Sequence, residues 1–414
     1  TSTLYGEVLP GTGTFEEPGS GTMTLTGTNT ANGTTTVSGG TLTVSGSIAS
    51  AVVAVTNAAT LNVDGTSLAD TAAVTLSNTA KMVQSGSETI GSLAGADGGT
   101  SVDLGAGTLT TGDATSTSFA GVISGTGGLT KQGTGTMTLT NAGNAFTGTA
   151  EVTAGTLAVT GLGKLATQSI VTSGSGGLST DGGALNPLAA IVNNGSGGLT
   201  ITGGNESVAT VNGSGSIALA TGSLTLTSGA SAISGALSGT GTLTVDGGTV
   251  TLSADSSAYT GEVAVDDGSL TLSGKVGGAL TVASAGEVTI TGGTVGGVTT
   301  NNGSANVTVQ GGTFTGGLLN KGAGVIAASG SVVGDITNVN AASTIGIGGA
   351  GLTGNGSNVF TNNGVLNVMM GDISNFGTVT NNSGGKVNIG SGRTLAATTV
   401  SNLAGGQMVL TSGT

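Results

Sequence analysis

Residues 125–140 read Gly125-Thr-Gly-Gly-Leu-Thr-Lys-Gln-Gly-Thr-Gly-Thr-Met-Thr-Leu-Thr140. The run Thr136-Met137-Thr138-Leu139-Thr140 alternates strictly between threonine and an apolar residue, the two-residue period of a half-buried strand. Leu224-Thr225-Leu226-Thr227 and Thr249-Val250-Thr251-Leu252 do the same. Gly-Gly, Ser-Gly and Asn-Gly pairs separate such runs and supply turns. Glu, Lys, Arg and Gln are scarce, and no long stretch carries a 3.6-residue period. The chain therefore reads as all-β.

The quoted stretch is also a repeat. Residues 11–26, Gly-Thr-Gly-Thr-Phe-Glu-Glu-Pro-Gly-Ser-Gly-Thr-Met-Thr-Leu-Thr, match it without a gap, and a third copy begins at Gly239. The copies start at 11, 125 and 239, a constant step of 114 residues. Each continues to a similar strand: Gly40-Thr-Leu-Thr-Val44, Gly155-Thr-Leu-Ala-Val159 and Gly268-Ser-Leu-Thr-Leu272. Beyond residue 300 the texture changes. Asn302, Asn320, Asn338, Asn362, Asn381 and Asn402 recur at spacings of 18, 18, 24, 19 and 21. A period near 20 residues suits one coil of a parallel β-helix, in which residues one period apart stack and recurrent Asn forms a side-chain ladder. The expected organisation is residues 1–300 as a solenoid with three 114-residue-phased repeats, and residues 301–414 as a continuing solenoid of Asn-centred coils. At about 20 residues per coil the chain makes about 20 coils.

Composition agrees with this. Of 414 residues, 84 are Gly, 74 Thr and 44 Ser, against 7 basic and 20 acidic residues, three Pro and no His, Cys or Trp. The mean hydropathy of +0.32 and the 7% of charged residues are wrong for a disordered linker. Stacked aliphatics fill a thin core, β-branched Thr covers the outside, and Gly or Asn turns the corners. The same inventory excludes whole function classes. Without His or Cys there is no Ser-His-Asp triad, no thiolate nucleophile and no common zinc site. Seven dispersed basic residues cannot neutralise a nucleic-acid backbone. No stretch is long and apolar enough to insert directly in a membrane as a helix. Thr1 is not an initiator, so the sequence reads as a mature or excised segment.

The segments Ile90-Gly91-Ser92-Leu93-Ala94-Gly95, Gly105–Gly112 and Gly125–Thr140, followed by Phe146-Thr147-Gly148 and Gly155-Thr156-Leu157, resemble the autotransporter-associated β-strand repeat of type V secreted passenger domains. The resemblance covers the middle copy most fully, extends to residues 1–46 and 234–274, and fades after Gly274. It implies a right-handed, single-stranded parallel β-helix. It also implies a Gram-negative source and export across the outer membrane to the cell surface or the medium. The family shares no common activity, so the resemblance carries no reaction with it.

Candidate chemistry is sparse. Asp266 and Asp267, with Glu262 nearby and Glu287 about one coil on, offer hard oxygen ligands for calcium, although exposed turn acids are the commoner explanation. No catalytic residue and no cofactor is assigned. Ser383 and Lys386 have the spacing of an acyl-enzyme pair but lack its companion motifs. Tyr5, Phe15, Phe119, Phe146 and Tyr259 are phased with the repeat and are expected in the core or at its corners. Near the start, Glu7, Pro10, Glu16, Glu17 and Pro18 combine charge with proline. Those devices either cap a solenoid end or shape an end-to-end junction. The expected function is a non-enzymatic surface protein that attaches cells or surfaces and self-associates, laterally or end to end. Its expected partners are a second copy of itself and a host or neighbouring cell. An inert stalk for an effector domain is the alternative, and a carbohydrate-active enzyme a distant one.

Overall fold

The computed structural model describes residues 2–4 and 11–411. Among them there is no helix; 53% of the chain is strand, in parallel sheets that make a β-solenoid of about 20 turns. These turns fall into two compact units, Thr1–Val208 and Ala209–Thr414. The change of sequence texture at residue 301 lies inside the second.

In the first unit each turn has up to three strand faces. One face stacks Phe15–Glu17, Thr35–Val37, Val52–Val55, Ala73–Leu76 and Ser92–Ala94. It continues through a Gly95–Phe119 bridge into Thr117–Phe119 and Thr136–Leu139. A second face stacks Ser2–Leu4, Thr22–Leu25, Thr41–Val44, Thr60–Val63, Lys81–Gln84, Ser101–Asp103 and Val122–Ser124. The third carries Glu88–Ile90, Leu109–Thr111, Leu129–Lys131 and Ala150–Val152. Inside and outside alternate along each strand, as in Thr41–Val44, where Leu42 and Val44 are buried and both threonines lie towards the surface. Phe119 and Phe146 are fully buried and Phe15 half-buried, whereas Tyr5 lies outside the described residues.

The 114-residue repeat and the turn are not commensurate. Phe15 stacks through Thr35, Val53, Val74 and Leu93 to the level of Phe119, five turns on. Its repeat equivalent, Leu129, lies two faces further, stacked on Leu109 and Glu88. Met23 likewise sits on the second face below Leu42, whereas its equivalent Met137 sits on the first, stacked on Thr117. Equivalent segments therefore fold onto different faces.

In the second unit, strands Leu243–Leu252, Val263–Leu272 and Leu280–Thr291 run through a corner, with register shifts marking the bend in the first two pairings. One inward column runs Leu226, Val245, Val265, Val282 and then Asn301. Tyr259 is fully buried at a neighbouring corner: its hydroxyl lies 2.7 Å from each of the Gly241 and Glu262 carbonyl oxygens and accepts from the Leu243 N–H at 3.0 Å. Burial pushes that phenol well above its ordinary pKa.

Corners are crowded because successive turns lie about 4.8 Å apart. A Cβ on Gly127 would fall 1.8 Å from the Gly107 carbonyl oxygen, and one on Gly107 2.2 Å from that of Gly86. The requirement here is close backbone approach, since neither residue has a positive φ. Gly127→Ala is expected to destabilise the protein by about 1–3 kcal/mol through overpacking. Gly13→Ala, with nothing within 4 Å of the new Cβ, is expected to be near neutral. Urea unfolding of the two variants checks this.

Candidate functional site

The most organised polar feature is a buried row of asparagine amides in the second unit. Asn301, Asn320, Asn338, Asn362, Asn381 and Asn402 occupy one column in register. Each Nδ2 donates to the Oδ1 of the next, at 3.2, 3.2, 2.9, 2.8 and 2.7 Å. Each Nδ2 also closes its own turn, as Asn320 does to the Gly324 carbonyl and Asn338 to the Ser343 carbonyl. All but Asn402 are buried. Such a chain satisfies amides that would be costly to bury singly.

The expected row included Asn302, and this is corrected. Asn302 is exposed, and Asn301 points inward as the first member. The two asparagines are adjacent, and a one-residue slip reverses the face of a strand residue. The row also has a direction: where it starts, on Val282, the buried Oδ1 of Asn301 has no hydrogen-bond partner.

The acidic candidates stay apart. Asp266, Asp267 and Glu287 are exposed, and Glu262 is half-buried. Asp267 stacks between Asp246 and Ala285, while Glu287 stacks on Ser269. The Asp267 carboxylate accepts from the Gly268 N–H at 2.8 Å. Among the described residues no three acidic side chains gather as a metal-binding set.

Near the start, Glu7 and Pro10 lie outside the described residues. Glu16 and Pro18 are exposed, but Glu17 is buried and accepts from the Gly19 N–H at 2.9 Å. Glu17 thus closes its own turn, while Glu16 carries the outward charge of that strand.

Three other buried charges were not anticipated. Ser67 and Leu68 N–H groups donate to the Glu88 carboxylate at 2.8 and 3.4 Å, where the turn below lacks a strand. Ala184 and Leu185 donate to Glu206 at 3.0 and 3.2 Å in the same manner. Lys131 Nζ donates to the carbonyls of Gln132, Gly133 and Ala154 at 2.7, 2.9 and 3.2 Å. Strand parity is the signal that would have placed them, since Leu129-Thr130-Lys131 and Glu88-Thr89-Ile90 each alternate in, out, in. Burial lowers the Lys131 pKa, with Asp113 opposing. Burial raises that of Glu88, against the pull of the Ser67, Leu68 and Thr89 N–H groups.

A surface depression of about 530 Å³ is lined by Gln310, Ala327, Ser329, Gly348, Gly349 and Met370 among others, and contains none of the candidate residues.

Three stretches, residues 19–44, 129–159 and 245–272, match the passenger-associated-transport-repeat family. They cover about a fifth of the chain. Each ends on the Thr-Leu-Thr-Val type strand that closes a repeat copy. No curated protein and no solved structure matches the chain. The chain carries passenger-associated-transport repeats on a β-solenoid, which fits an autotransporter passenger, and that repeat family implies export to the cell surface.

Two measurements probe these polar devices. Asn338→Ala removes the amide acceptor of Asn320, whose Nδ2 keeps the Gly324 and Thr344 carbonyls, and leaves Asn362 Oδ1 without its donor; it is expected to cost roughly 2–4 kcal/mol. Asn302→Ala is expected to stay within about 0.5 kcal/mol, both read from urea midpoints. For Glu88 the sign follows from its raised pKa. The folded state binds the proton more tightly than the unfolded state, so this contribution is fully present below the unfolded carboxyl pKa. It is lost as pH rises through the folded one. Wild type minus Glu88→Gln stability is therefore expected to be larger at pH 4 than at pH 7. A flat difference across that range would refute the assignment.

Proposed function

We propose that this chain is a structural, adhesive passenger: an exported β-solenoid that attaches surfaces and associates with copies of itself, without enzymatic activity. One observation carries the reading. On the second unit a single outward column holds Thr225, Thr244, Ala264, Thr281, Thr300, Leu319, Thr337, Thr361, Thr380 and Ser401, one per turn and all half-exposed. This is an uncharged, regularly spaced strip with turns about 4.8 Å apart, in which eight of the ten positions carry a hydroxyl and Ala264 and Leu319 interrupt the series. Such a strip suits many weak, repeated contacts with another repetitive surface, where affinity comes from multiplicity. The low charge density of the chain leaves little repulsion between copies, and salt screens what there is.

The test uses sedimentation velocity, negative-stain electron microscopy and cell binding of the purified chain. Wild type is expected to form ordered assemblies or to bind cells. Thr281→Lys combined with Thr337→Lys, both on the outward column, is expected to weaken that association by about tenfold or more while leaving the circular dichroism unchanged. A monodisperse wild-type monomer that binds no cells would refute the adhesive reading and favour an inert stalk.

A further inference from the structure

In an asparagine–glycine pair the side-chain amide is open to attack by the main chain, because glycine has no Cβ to shield its nitrogen. The chain holds six such pairs, at Asn32, Asn194, Asn212, Asn302, Asn355 and Asn363, and the fold sorts them. In three, the glycine N–H that would attack is already a donor. Gly195 donates to Thr172 Oγ1 at 3.1 Å, Gly213 to the Ala232 carbonyl at 3.0 Å and Gly356 to the Asn375 carbonyl at 2.6 Å. At Asn363 the side chain is held instead, its Oδ1 accepting from Asn382 Nδ2 at 2.7 Å. Asn32 and Asn302 are exposed. Among the described residues, neither their side chains nor the N–H groups of Gly33 and Gly303 make a hydrogen bond.

Charge separates these two. Asn301 pairs in register with Asn320, so Asn302 and Lys321 follow at the same corner one turn apart. Lys321 is exposed and has no ion-pair partner among the described residues. The turns that flank Asn32 hold no basic residue, since the first in the chain is Lys81.

We propose that Asn302 is a self-modification site, converted in the folded protein to aspartate and isoaspartate. This does not depend on the adhesive role proposed above. The Gly303 nitrogen gives its proton to hydroxide and attacks Asn302 Cγ. A C–N bond forms, the Cγ–Nδ2 bond breaks, and the leaving nitrogen takes a proton from water and departs as ammonia. The resulting succinimide is opened by water at either ring carbonyl, giving aspartate one way and isoaspartate the other. Nothing is oxidised or reduced. Lys321 stabilises the negative charge that builds on Oδ1 during attack, and then faces the new carboxylate. The isoaspartate product also adds one methylene to the main chain directly after Asn301, where the amide row begins.

The test incubates the folded full chain in mildly alkaline buffer and maps its peptides by mass and isoaspartate content. Asn302 is expected to convert about fivefold or more faster than Asn194, Asn212, Asn355 and Asn363, the factor set by releasing one hydrogen bond. At low salt it is expected to outpace Asn32 by about threefold, and Lys321→Gln to remove that advantage. Asn302→Gln is expected to abolish conversion at this position without moving the urea midpoint. In the urea-unfolded chain the six pairs are expected to react at similar rates. Conversion of Asn302 no faster than that of the four tied pairs overturns the proposal. So does an unchanged ranking in the unfolded chain, which places the preference in local sequence and not in the fold.

Discussion

Every part of this molecule depends on the hydrogen bond between successive turns. In a parallel solenoid a backbone N–H finds its acceptor about one period away along the chain, so each turn is satisfied only by its neighbours. Where regular strand is present the ladder does this. Where it is missing, a side chain takes over: Glu88 accepts from Ser67 and Leu68, Glu206 from Ala184 and Leu185, and Asn144 from Ile123. These acceptors lie 20 to 22 residues from their donors, or 21 for Asn144, so they occupy the ladder's own place. The corners obey the same constraint from the steric side. Turns close enough to bond leave no room for a Cβ at Gly107 or Gly127.

The amide row of the second unit is a variation on this theme. In the column Val245, Val265 and Val282 the backbone ladder is supplemented only by apolar side-chain stacking. From Asn301 onward the same column is polar, and each side chain ties its own turn and reaches the next. Buried polar groups of this kind specify register more than they add stability, because a one-residue slip would leave every amide unsatisfied. The orphaned Oδ1 of Asn301 marks the boundary between the two solutions.

The strands, the turns and the period near 20 were legible in the sequence because each rests on local patterning: alternation in Thr136-Met137-Thr138-Leu139, glycine pairs between runs, and recurrent asparagine. The asparagine row was legible except at its start, where the doublet Asn301-Asn302 offers two registers and only the neighbouring turn selects one. The carbonyl cage of Lys131 was not legible. Ala154 lies 23 residues away and enters it only once the turn has closed. Asp266 and Asp267 invited a metal reading by adjacency, yet adjacent residues at a turn both point outward and do not converge.

The mismatch between repeat and turn has a consequence for how any surface of this protein is built. Five turns and two faces separate Phe15 from Leu129, so copies of the repeat do not superimpose on a common face. One repeat position accordingly meets unlike surroundings. Glu17 closes its own turn, its counterpart Lys131 sits in a cage of carbonyls, and the third counterpart, Val245, packs in an aliphatic column. The chemistry of a column is then set by residues about 20 apart, drawn from different phases of the repeat. The start of the hydroxyl strip, Thr225 to Thr281, arises in that way, while the amide row follows the same column logic in the Asn-centred turns beyond the repeat. The repeat supplies strand and corner grammar, while the columns carry whatever selectivity the surface has. Substitutions should accordingly be compared along columns, where neighbours touch, and not between equivalent positions of the 114-residue unit.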